Sequence, residues 1–346
     1  MSRDAKQIWR SSLVTLAAAV FGAFPVVSSR AQAQSASLQT SPAAHASSQM
    51  APAQRSRGQH KTFPSAEKAA DALYTAAKDH DESGMLAILG SDAHDIVMWT
   101  DSSSDRNAQD DQFARKYEQM HRLVQEPDNE TTLYVGAENW PLPLPIVEHD
   151  GAWYFDCSLG RREILYRRIG ENEMETMETL RGIVDAENQH YANSAEMGAN
   201  TEEYAQHFTC SEGQHDGLFS AASGSDDDSN AIGPYLAEAS YERSDREPFH
   251  GYFFHILTAQ GAHAHGGARN YIVDGKMTGG FAVVAFPAAY RSSGVKTFIV
   301  SQNGRIFSKD LGAKTTQLAA AMKTYDPDST WARVRPNEFL NADVTP

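Results

Sequence analysis

Cysteine is almost absent from this chain: Cys157 and Cys210 are the only two in 346 residues, and neither falls in a CxxC or CxxxC spacing. A thiolate-clustered zinc site or a dithiol redox motif is therefore not a reading the sequence offers. Long apolar runs are missing beyond the N-terminus, so no later segment reaches the roughly 20 apolar residues that a bilayer crossing needs. Positive charge is scarce: 30 Lys and Arg stand against 45 Asp and Glu, for a formal charge of −15, and no basic run breaks the trend. An acidic surface repels phosphate backbones and anionic lipid, which excludes nucleic acid as a partner class. Patterns of the GxSxG, HExxH, Walker and dinucleotide-glycine types are also missing, so the common hydrolase, metalloprotease and nucleotide chemistries have no motif here.

What is present begins with Arg3, Lys6 and Arg10 ahead of the apolar run SSLVTLAAAVFGAFPVV and then Ala31-Gln32-Ala33. This is the three-part pattern of a secretory signal peptide over residues 1–33, ending in an A-x-A cleavage site. The run is short for a retained anchor and contains Gly22 and Pro25. Cleavage removes four basic residues and one acidic one, taking the charge from −15 to −18, and leaves no stable membrane span. The expected location is periplasmic or secreted. In that oxidising compartment an even pair of cysteines points to a Cys157–Cys210 bridge, with two separate thiols as the alternative. Residues 34–60, rich in Ser, Ala, Gln and Pro, carry too little apolar surface to fold and read as a flexible linker.

Folded sequence starts near Thr62. Ser65 can cap a helix whose Ala66, Ala69, Ala70, Leu73, Ala76 and Ala77 form one apolar stripe. Met85, Leu86 and Leu89 mark a second helix, and Phe113, Tyr117, Met120 and Val124 predict a third over about Arg106–Val124. Strands follow at Thr132–Ala137, Leu144–His149 and Ala152–Cys157, the last two joined across Asp150-Gly151. Arg161–Asn193 then reads as helical in two pieces broken near Gly170, with Met177, Leu180, Ile183, Val184 and Tyr191 on one side. After a polar loop over Ser211–Asn230, FHGYFFHILT alternates Tyr252, Phe254 and Ile256 against Phe253, His255 and Leu257. GGFAVVAFP repeats the pattern, and Asn303-Gly304 predicts a type I′ hairpin in VKTFIVSQNGRIFSK. The expected class is α+β: helices on a curved antiparallel sheet over 61–170, then a long helix packed on an antiparallel sheet over 171–330, with a tail at 331–346.

The segments TFPSAEKAADAL, ENWPLPLPIVEHDGAWYFD, GRREILYRRIGENEMETMETLRGIVDAENQHYA, FHGYFFHILTAQG, NYIVDGKMTGGFAVVAFPAAY and GVKTFIVSQNGRIFSKDLG together resemble the bacterial family known as domain of unknown function 2950, over Thr62 to Trp331. That resemblance implies no activity. The first half also resembles the cone-shaped fold of nuclear-transport-factor-two-like proteins, which implies a pocket used for binding or catalysis. The second half resembles the soluble domain of type IV pilins and pseudopilins, although the hydrophobic helix that polymerises pilins is missing and an entire domain stands before Met174. Fold likeness of this kind assigns no chemistry.

Among candidate site residues, His250, His255, His263 and His265 are the metal-binding types closest together. His250 and His255 are an odd number apart and so face opposite sides of their strand; only one of them can join His263 and His265, and the candidate set is His250, His263 and His265. Asp226, Asp228 and Asn230 begin like a calcium loop, but Ala231 and Ala237 replace its Gly and Glu, which favours an exposed acidic loop. His215-Asp216 are adjacent and do not naturally converge on one atom. Trp140-Pro141-Leu142-Pro143-Leu144-Pro145 reads as an edge strand entering a hairpin rather than as a polyproline ligand. No cofactor is implied. The expectation is an exported, non-catalytic protein of the cell envelope that binds an envelope protein or a small ligand; the alternative is an envelope hydrolase with its site in the first-domain cavity.

Overall fold

A computed structural model describes residues 60–90, 93–98, 102–126, 129–194, 201–212, 216–220 and 232–335. These residues fall into two units, the first reaching Leu165 and the second beginning at Tyr166. The signal-peptide and linker expectations lie outside the described residues, as does the tail beyond 335.

In the first unit, α1 (Ala66–Lys78) starts at Ser65, whose hydroxyl accepts from the Lys68 amide at 3.3 Å, and buries the six residues of the expected stripe. α2 (Glu82–Leu89) starts at Asp81, whose carboxylate accepts from the Gly84 amide, and it is followed by the single turn α3 (His94–Val97). α4 (Ser103–Gln119) is shorter than its apolar spacing predicts. Met120 turns extended, with φ −165°, and Val124 belongs to strand β1 (His121–Gln125) instead of the helix. A short apolar spacing of three and four fits either element, and here pairing with β2 (Glu130–Val135) wins. β3 (Trp140–Pro141), β4 (Ile146–His149) and β5 (Ala152–Phe155) complete an antiparallel sheet of order β1-β2-β4-β5, with β3 also on β2. Asp150 and Gly151 take φ of 54° and 76°, the I′ turn expected between β4 and β5. Every residue from Trp140 to Val147 is buried, so the Pro-Leu repeat is part of the core and not a free ligand.

α5 (Cys157–Asn193) is 37 residues long, about 55 Å at 1.5 Å per residue, and belongs to the first unit up to Leu165 and to the second from there on. It runs without interruption across Gly170, which corrects the expected break. A Cβ at Gly170 would meet nothing within 4 Å. That glycine costs about 1 kcal/mol of propensity and the flanking helix formers carry it.

The second unit's main sheet contains β8 (Tyr252–Leu257), β13 (Ala282–Pro287), β14 (Thr297–Ser301), β15 (Phe307–Lys309) and β17 (Ala332–Arg333), paired antiparallel in the order β17-β15-β14-β13-β8. β8 alternates as expected. β13 and β14 are buried on both faces, so they read as continuous apolar runs. The outer edge of β8 is covered by Ala239–Tyr241, which exchange backbone hydrogen bonds with Phe254. β6 (His207–Thr209) and β7 (Gly217–Phe219) form a separate parallel ribbon, and α6 (Pro234–Glu238) follows. β9 (Ala259–Gln260), β10 (Arg269–Asn270) and β16 (Thr324–Tyr325) make a small sheet, β11 (Ile272–Val273) and β12 (Lys276–Met277) a hairpin, and α7 spans Thr315–Ala320. The Asn303-Gly304 turn differs from its expectation. Only Gly304 has positive φ, its amide donates to the Ser301 carbonyl, and Asn303 turns its side chain onto the Arg305 amide. The pair therefore sits inside a longer loop between β14 and β15, and is not a two-residue I′ turn.

The class is mixed α+β, as read from the sequence. Neither cysteine is in a disulfide: Cys157, buried, donates to the Leu89 carbonyl at 3.1 Å, and Cys210 to the Gly217 carbonyl at 3.3 Å. Each sits in the first or the second unit with its own backbone partner, which corrects the expected bridge.

Candidate functional site

The helical layer of the first unit holds a buried acid. His80 closes α1 with φ 52°, and its ring lies between two carboxylates of α4, 3.8 Å from Asp110 Oδ2 and 3.4 Å from Asp111 Oδ1. Burial pushes the Asp110 carboxyl up to about 6, against the pull of His80 and with the help of Glu82 and Asp111. Beside it Arg106 donates to Glu82 at 2.6 Å, tying α4 to α2. The interior between helices and sheet has a different chemistry. Leu73, Phe113, Leu133, Val135, Trp140, Ile146 and Phe155 fill it, all apolar.

The three histidines singled out in the second unit do not meet. His250 occupies the first position of an I′ turn with Gly251 (φ 48° and 72°), ahead of β8, and ion-pairs with Glu175 of α5. It is therefore not a strand residue, and the strand-parity argument does not apply to it. His263 leans on Asp326, with its amide at 2.8 Å and its ring nitrogen at 3.0 Å, and that carboxylate raises its pKa. His265 is exposed, and its carbonyl accepts from the Gln260 side chain. Among the described residues no three His, Cys, Asp or Glu side chains form a group able to hold a metal ion. Asp226, Asp228, Asn230 and His215 lie outside the described residues. Asp216 is described. Burial opposes its ionisation, but bonds from the Ser211 hydroxyl and amide, at 2.7 and 2.8 Å, hold its carboxyl below the ordinary value.

Two arrangements that spacing did not reveal carry more chemistry. The first joins His207 of β6, Glu242 after α6 and His255 of β8. Glu242 Oε2 lies 3.2 Å from His207 Nδ1, and Glu242 Oε1 lies 3.6 Å from His255 Nδ1. The hydrogen bond to Glu242 raises the pKa of His207, whereas burial lowers that of His255. The His255 Nδ1 is buried without a hydrogen-bond partner, and the Met322 backbone favours the charged ring less strongly than burial opposes it. Residue separations of 35 and 13 leave no motif by which the trio could have been found.

The second is Glu187, fully buried on α5. One oxygen accepts from the Ala205 amide at 2.9 Å, and the other, Oε1, has no partner. Burial pushes this carboxyl up to about 8. Here a signal did exist: Glu187 falls three residues after Val184, four after Ile183 and seven after Leu180, inside the apolar stripe itself.

Comparison with known proteins gives one match and two blanks. The family described as "Protein of unknown function (DUF2950)" matches residues 60–334. No curated protein matches, and no solved structure does.

Proposed function

This chain belongs to the DUF2950 family, and from that premise we propose that it is an exported protein of the bacterial cell envelope that works by binding an envelope protein or a small ligand. The reading takes the first unit as nuclear-transport-factor-two-like and the second as pilin-like, and residues 1–33 as a cleaved signal. One observation supports it: the interior between the helices and the sheet of the first unit is packed with apolar side chains such as Leu73, Phe113 and Phe155, which fits a role in apolar contact better than one in chemistry. The acidic balance of −15 directs the partner away from nucleic acid. The test is crosslinking of the tagged protein in its native cells followed by mass spectrometry, with an unrelated exported protein as control. Recovery of one specific envelope partner is the expected result; recovery of this chain alone removes the protein-partner reading.

A second reading, an envelope hydrolase with its site in the first unit, has one observation in its favour. Asp110, buried and pushed up to about 6 beside His80, changes charge closer to neutral pH than an ordinary carboxyl, as general acid–base chemistry favours. It would be supported by hydrolysis of an envelope ester or glycoside that Asp110→Asn abolishes at unchanged melting temperature.

A further inference from the structure

We propose that His207, Glu242 and His255 form a single-proton latch that holds the β6–β7 ribbon to the edge of the main sheet at β8. Three separate pieces of chain meet at this carboxylate. His207 comes from the ribbon, His255 from β8, and Glu242 from the segment that covers the β8 edge, next to Tyr241, whose amide donates to Phe254. Phe208, the residue after His207, packs edge-on against Phe254, so opening the ribbon at His207 disturbs the same edge.

The neighbouring charges decide where the proton sits. Asp216, just before β7, favours the charged form of His207, and Lys323, after α7, opposes the charged form of His255. Arg243 is occupied by Asp245 at 2.8 Å. With one proton, on His207, the cluster is a compensated imidazolium–carboxylate pair. His255 stays neutral, because burial disfavours its charged form. Loss of that proton at higher pH leaves the Glu242 charge uncompensated beside Asp216. A second proton at lower pH places a cation on His255 beside Lys323. The closed state is thus the middle one, and its window straddles the ordinary histidine value of 6.5, because His207 is displaced above it and His255 below it. The side chains of Glu242 and His207 are 43% exposed, so protons reach the cluster from solvent without unfolding.

The test is hydrogen exchange of the full chain between pH 5 and 8, read as protection factors of the amides in residues 205–220. Protection is expected to be highest between the His255 and His207 titrations and to fall about tenfold on each side, the scale of one charge-assisted hydrogen bond. Glu242→Gln should flatten the profile. His255→Gln should remove only the acid-side fall, and His207→Gln, which cannot supply the cation, should lower protection to its alkaline level through the neutral range. A flat profile in the unmodified protein, or an unchanged peak in Glu242→Gln, overturns the latch. If Glu242→Gln does not fold, His255→Gln decides alone, and an acid-side fall that persists in it is equally fatal.

Discussion

Glu187 has an ordinary carboxyl pKa of 4.5 in the unfolded chain and is pushed up to about 8 in the folded one. The folded state then holds a proton that the unfolded state has released, so stability is full below about pH 4.5 and declines as pH rises towards 8. The loss amounts to roughly 5 kcal/mol at most. Chemical denaturation at pH 5 and pH 8 should show this decline, and Glu187→Gln, which keeps an oxygen for the Ala205 amide, should remove most of it; an equal decline in both proteins would place the titrating group elsewhere. The cysteines make a second prediction at this scale. Alkylation of the denatured protein without reductant should label both Cys157 and Cys210, whereas an unlabelled, oxidised pair would contradict their separate carbonyl partners. What was legible about single residues followed burial. The stripe from Ala66 to Ala77 and the alternation of Tyr252, Phe254 and Ile256 stand as read, because both depend on one repeating period. His207, Glu242 and His255 were illegible because tertiary packing alone brings them together. Glu187 was legible in principle, as a charged residue set among apolar ones.

Elements were readable where one local signal dominated and misread where two competed. Asp150-Gly151 takes the positive φ values its sequence favours, but Asn303-Gly304 gives its I′ geometry up to a longer loop in which Asn303 bonds the Arg305 amide. α4 stops at Gln119 because, after Met120, the five residues His121 to Gln125 pair along β2. The β6–β7 ribbon was hidden in a segment that reads as loop, and it depends on one glycine. A Cβ on Gly217 would lie 2.5 Å from the Cys210 nitrogen and 2.6 Å from the Thr209 carbonyl carbon, both backbone atoms that cannot rotate away. Gly217→Ala should therefore cost about 2 kcal/mol or more through overpacking. It should also lower exchange protection in residues 205–220 while leaving α1 and β2 unchanged; a wild-type ribbon in that variant would mean that the two backbones have room to part.

The two units have separate cores, one around Phe113 and Phe155 and the other around Val284 and Ile299. Ile299→Ala, at a site with no exposed surface, should cost about 2–5 kcal/mol. Exchange protection should fall in β13 and β14 and hold in α1, β2 and β4; an equal loss in both units would show that they unfold as one. For the whole chain, the proposed cleavage predicts that N-terminal sequencing of the protein recovered from its native cells begins just after Ala33, and an intact Met1 would remove cleavage from the proposal. The main sheet has one further consequence. β8, β13, β14, β15 and β17 stand side by side in the order in which they follow one another along the chain. A polypeptide delivered N-terminus first through a narrow channel can seat each new strand against the one delivered before it, with no gap left for a later arrival to fill. Assembly can then keep pace with delivery, and β17, two residues long and exposed, is the last piece placed and the natural end of growth.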